Sequence, residues 1–159
     1  MTAKTPAAQA RPRTRKLIED MLQERQQMLV LLWELSKLDF KAVDQTARET
    51  LQEFQEIVVD YIAAAYFGLY QRIAEGQERR QPTLELARDI YPRIARSTDI
   101  AVEFTEKYEA ADDARVGNDL AGDLSVLAEA ITTRIELEDQ LILSMLGGDF
   151  PLPPPVSKR

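Results

Sequence analysis

The sequence predicts an all-α fold, an antiparallel up-and-down bundle of four helices, and three observations carry that prediction. Four long stretches place apolar residues three and four apart, which is the spacing of one helix face. No stretch alternates apolar and polar residues as a half-buried strand would. The intervening segments are short, so consecutive helices must run antiparallel. No repeat of fixed period is visible, which disfavours a solenoid.

The first helix is expected from about Thr14 to Leu38, with Leu17, Ile18, Met21, Met28, Leu29, Leu32 and Leu35 on one face. The second surrounds the stretch Leu51 to Ile73 and is entered from Asp44 or Thr46, both good capping residues. The run EGQERRQP then supplies a stop at Gly76 and a start at Pro82 and Thr83. The third helix follows, from about Thr83 to Glu109, and Pro92 should kink it because the ring removes a backbone donor. After an acidic turn at Asp112 and Asp113, the fourth runs from about Asp119 to Met145 and stops at Gly147 and Gly148. The domain reading is therefore a flexible basic leader at 1–13, a bundle at 14–146 and a proline-rich flexible tail at 147–159.

At 159 residues the chain suits one domain, and a 45% hydrophobic, 30% charged composition is that of a globular protein with a real core. No apolar run approaches the roughly 20 residues that span a bilayer. The basic N-terminus lacks the apolar segment of a secretory signal. A cytoplasmic protein without a membrane association is expected. With no cysteine and no histidine, thiolate metal sites, cysteine nucleophiles, Glu-x-x-His di-iron sites and histidine proton shuttles are closed to it. No metal and no cofactor is expected.

Residues 1–18 hold five bases (Lys4, Arg11, Arg13, Arg15, Lys16) and no acid, so residues 19–159 carry 15 bases against 27 acids, a net charge of −12. A body that acidic repels phosphate, which argues against direct nucleic-acid binding. The leader reads as a solvated tail rather than a nucleic-acid arm.

The stretch LQEFQEIVVDYIAAAYFGLYQRI has more apolar surface than one core stripe uses. Leu51, Phe54, Val58, Ile62, Ala65, Leu69 and Ile73 form the stripe. Opposite it lies a row of Glu53, Glu56, Asp60, Ala64, Phe67 and Gln71, flanked by Val59, Ala63, Tyr66 and Tyr70. An aromatic anchor beside carboxylates is the composition of an interface facing a basic partner. The alternative is that neighbouring helices cover both sides.

Charges also enter the core stripes. Arg25 lies at the centre of the first helix's apolar face. Glu138 holds the same position on the fourth, among Leu124, Leu127, Ile131, Ile135, Ile142 and Met145, with Arg134 at the edge. First and last helices of such a bundle are neighbours, and an unpaired buried charge is prohibitive, so an Arg25–Glu138 pair is expected. Its bland role is to fix helix register. The competing role is a polar pocket in a metabolite-binding protein or small enzyme.

The blocks KLIEDMLQERQQMLVLLWEL, VVDYIAAAYFGLYQRI, ARDIYPRI and RIELEDQLIL resemble, in this order, the four helices of the Rsd/AlgQ regulators of the primary sigma factor. The likeness covers about residues 14–146. It implies a cofactor-free anti-sigma factor that binds the C-terminal, promoter-reading region of the housekeeping sigma factor, blocking both promoter contact and docking on RNA polymerase. That region carries a basic helix-turn-helix, which suits an acidic body. The second-helix aspartate of the family's VDY block contributes to sigma binding and corresponds to Asp60. Tyr66 replaces a histidine of that block and Gln71 a glutamate, which alters the partner contacts around Phe67. Members differ in regulon, some linked to alginate production and others to stationary phase. A monomer is expected, with a homodimer through the extra apolar face as the alternative.

Overall fold

The computed structural model describes residues 6–152. Helix α1 spans Pro6–Ser36 and α2 spans Gln45–Ala65. A π turn at Tyr66–Tyr70 and a closing α turn at Gln71–Ala74 continue α2. Helix α3 is Gln81–Glu109 and α4 is Asp113–Leu146. There is no strand among the described residues. Connections at 37–44, 75–80 and 110–112 are short, so the helices run up and down as two hairpins, α1 with α2 and α3 with α4.

The helix ends follow from local chemistry. Asp44 Oδ1 accepts from the Ala47 N–H at 2.9 Å, and Asp112 Oδ1 accepts from the Arg115 N–H at 2.9 Å, each satisfying an orphan donor of a first turn. Pro82 stands in the first turn of α3, where its missing N–H costs nothing. Helix α3 runs unbroken through Pro92. The carbonyl that the ring leaves free is that of Arg88, four residues back, and Arg88 is exposed, so water can take it.

Three boundaries differ from the sequence reading. Helix α1 begins at Pro6, so residues 6–13 of the expected leader are helical; residues 1–5 lie outside the described part. Helix α4 begins at Asp113 rather than Asp119. Gly117 lies inside it where a Cβ would sit 3.1 Å from the Phe40 carbonyl oxygen, so the glycine serves close packing. The expected mobile tail is not uniform either. After Gly147 the chain turns back, Phe150 is 8% exposed against the core, and the Arg15 guanidinium lies 4.9 Å from the centre of its ring. Burying a phenyl ring is worth about 1.5–3 kcal/mol, enough to order a few residues. Residues 153–159 of that tail lie outside the described part.

The core is one continuous cluster filled by Met21, Met28, Leu35, Phe54, Leu127, Leu141 and Ile142, all essentially inaccessible. Phe54 of α2 meets Phe104 of α3 edge to face at 6.1 Å, which locks the two hairpins together. Ile57 and Tyr61, outside the single stripe read from α2, are buried too, because α2 packs against both α1 and α3.

Candidate functional site

Two sites emerge from α2, one on each side of it. Inside, Tyr61 joins a cluster with a member from every helix. Arg25 of α1 donates to Tyr61 at 3.2 Å, to Asp139 at 2.6 Å and to Glu138 at 3.3 Å. Arg134 donates to the other oxygen of Glu138 at 2.8 Å and also to Ser97 at 3.1 Å and Thr98 at 2.7 Å on α3. Tyr61 gives its hydroxyl proton to Glu138. Arg25, Arg134 and Glu138 are 2%, 4% and 0% exposed, and two cations face two carboxylates, so the buried charge balances.

Burial works against the Arg25 charge, yet Tyr61, Glu138 and Asp139 hold its guanidinium above the ordinary value. Arg134 is likewise raised against its burial, by Glu138 first. Burial and the neighbouring Glu138 push the Tyr61 phenol well up, so it stays a neutral donor. Every charged side chain of the cluster has a partner within it, so its charges balance without a metabolite. Tyr70 is the exception: its buried hydroxyl has no partner among the described residues, and burial raises it as well.

Outside, the row read from the sequence lies along the surface of α2. Glu53, Glu56 and Asp60 are exposed, Phe67 is 52% exposed, and Ala64 and Gln71 are half-buried. Val59 at 55% and Tyr66 at 45% extend the apolar part, and the Tyr66 and Phe67 rings meet edge to face at 5.5 Å. Glu53, Glu56 and Asp60 form no ion pair among the described residues; Arg25, Arg48, Arg80 and Lys107 pair with other acids. Phe67 is therefore not covered by a neighbouring helix. No group of three or more acids among the described residues could hold a metal ion.

The π turn was not legible from helical spacing. The Gln71 N–H bonds back to the Tyr66 carbonyl, one residue further than in an α-helix. That wider turn directs Gly68, Leu69 and the Tyr70 hydroxyl inward in succession and leaves Tyr66 and Phe67 outside. Gly68 supplies the one available signal. It faces α1, where a Cβ would lie 3.4 Å from the Leu17 carbonyl oxygen, so the small residue lets the helices meet closely just where the turn widens. Glu78, also missed, is 5% exposed in the connection before α3, where Arg80 bonds it at 3.0 Å and 3.2 Å and Arg72 approaches to 4.0 Å.

The chain matches, over residues 1–146, the family model described as "Regulator of RNA polymerase sigma(70) subunit, Rsd/AlgQ". It is 30% identical over 133 residues to a protein named "Regulator of sigma D" from Yersinia pseudotuberculosis serotype O:1b (strain IP 31758), covering 80% of this chain and 78% of that protein. A protein of the same name from Enterobacter sp. (strain 638) is 30% identical over 141 residues, covering 85% of this chain and 83% of its own length. No solved structure matches. With agreement over nearly its whole length, the chain belongs to the Rsd/AlgQ family of regulators of the RNA polymerase sigma(70) subunit.

Proposed function

We propose that this chain is an anti-sigma factor: it binds the C-terminal, promoter-reading region of the primary sigma factor and keeps it from core polymerase and promoter. The observation that carries the reading is Phe67, half exposed beside carboxylates that lack a cation of their own. A hydrophobic ring at the centre of an interface excludes water, and acids around it steer a basic partner and fix its orientation. Family membership supports a sigma factor as that partner, and a helix-turn-helix that reads DNA presents the basic surface required. Phe67 is the apolar anchor, Asp60, Glu56 and Glu53 are the charge partners, and Ala64 and Gln71 complete the contact.

The test is calorimetric titration of the purified C-terminal region of the primary sigma factor into wild type, Phe67→Ala and Asp60→Ala. Each variant is expected to lose about 2 kcal/mol of binding free energy. Wild-type affinity in both would show that the partner docks elsewhere.

A further inference from the structure

A pocket of about 130 Å³ lies where the chain leaves the closing turn of α2 and enters α3. Arg72 of that turn lines it, with Gln77, Glu78, Arg79 and Arg80 of the connection, Thr14 of α1 and the last turn of α4. Three arginines thus share it with one carboxylate. That carboxylate is already matched, because Glu78 accepts from the Arg80 guanidinium at 3.0 Å and 3.2 Å and from the Arg80 backbone N–H at 3.0 Å. Arg72 stands 4.0 Å from Glu78 and makes no hydrogen bond among the described residues, although its side chain is only 20% exposed. Arg79 is exposed and forms no ion pair among them. The positive end of α3 and the negative end of α4 both abut the pocket and offset one another, so the arginines set its charge. With Arg80 and Glu78 cancelling, Arg72 and Arg79 remain as two uncompensated cations.

We infer that this pocket binds a phosphate group, free or at the end of a small molecule. A guanidinium drawn out of water with its donors unfilled is costly, and an oxyanion is the ligand that fills them. Arginine forks hold such oxygens two at a time, and Thr14 and Gln77 add further donors at the rim. The charge matches as well, since a phosphate monoester carries about −1.5 to −2 at pH 7 against those two cations, whereas a carboxylate would leave one unpaired. Size limits the occupant: pockets that enclose a whole metabolite run to roughly 300–1,000 Å³, so this one takes a headgroup only. The site shares no residue with the acidic face of α2 and does not depend on the sigma reading.

The experiment titrates inorganic phosphate, methyl phosphate and acetate into the full chain in chloride buffer at constant ionic strength, following backbone amide shifts by NMR. Phosphate is expected to move the amides of residues 72–80 along a saturating curve, with acetate binding more weakly. Methyl phosphate separates the two sources of the group: binding as tight as phosphate assigns the pocket to a monoester, and weaker binding assigns it to the free ion. Arg72→Gln and Arg79→Gln should each weaken phosphate binding about tenfold. Thermal melts without phosphate check that both variants fold, and Arg79, being exposed, gives the deciding variant if Arg72→Gln does not. Shifts that fail to saturate, acetate binding as tight as phosphate, or a wild-type response in Arg79→Gln would each overturn the inference.

Discussion

Asp60 and Tyr61 are adjacent in sequence and point into opposite worlds. Tyr61 enters a cluster where Glu138 and Asp139 each have an arginine, while Asp60 stands in a row of acids that has none. Both regions pair carboxylates with aromatic rings, so residue type alone does not separate them. What separates them is completeness. A buried charge must find its counter-ion within the fold, whereas a surface carboxylate is solvated and can wait for one to arrive. Incompleteness on a surface, next to an exposed ring, is what the proposed docking face offers a basic partner.

The largest effect should come from opening the closed region. Arg25→Ala leaves the Glu138 and Asp139 carboxylates with one arginine between them and should lower unfolding stability by about 3–5 kcal/mol in a denaturant titration. A loss under about 1 kcal/mol would place Arg25 outside the cluster. Phe67→Ala should show the reverse pattern. The calorimetric loss given above should come with a change of no more than about 0.5 kcal/mol in unfolding, since its ring adds little to the core. A variant that unfolds easily would mean the ring belongs to the closed region after all.

The smallest effect concerns Glu78, at the basic end of the α3 hairpin. Burial alone would raise its carboxyl, but the Arg80 bonds more than offset that and hold it below the ordinary 4.5. A lowered folded value means that the contribution is present above pH 4.5 and lost as pH falls through the folded value. Urea melts of wild type and Glu78→Gln should therefore converge as the pH is taken below that point. Curves that stay parallel would show that the Glu78 charge contributes no stability.

Much of this was legible in the sequence for a reason particular to helical bundles. A charge in the middle of an apolar stripe, as at Arg25 and Glu138, can only point inward, so spacing alone marks it. The acidic row was legible because a regular helix carries Glu53, Glu56, Asp60 and Phe67 around to one side. Spacing fails where the helix stops being regular. The π turn half-buries Gln71 and takes the Tyr70 hydroxyl inside. It also fails where a residue is held by tertiary contact alone, as with Phe150 under Arg15, or Glu78 between two arginines. Arg134 read as an edge residue because its stem leaves α4 beside the stripe; its guanidinium then reaches across to Ser97 and Thr98 on α3.

The buried cluster has a consequence for the order of events during folding. Arg25 and Glu138 are 113 residues apart in sequence and sit in different hairpins. Each hairpin can close over its own short connection, but the bond between them forms only when the two halves dock and expel water from around Glu138. Such a late contact leaves little trace in the rate at which the chain collapses and governs how long the finished bundle survives. In stopped-flow experiments Arg25→Ala should speed unfolding far more than it slows folding. The same ion pair that balances charge at equilibrium thus acts in time as the latch that closes last and opens first.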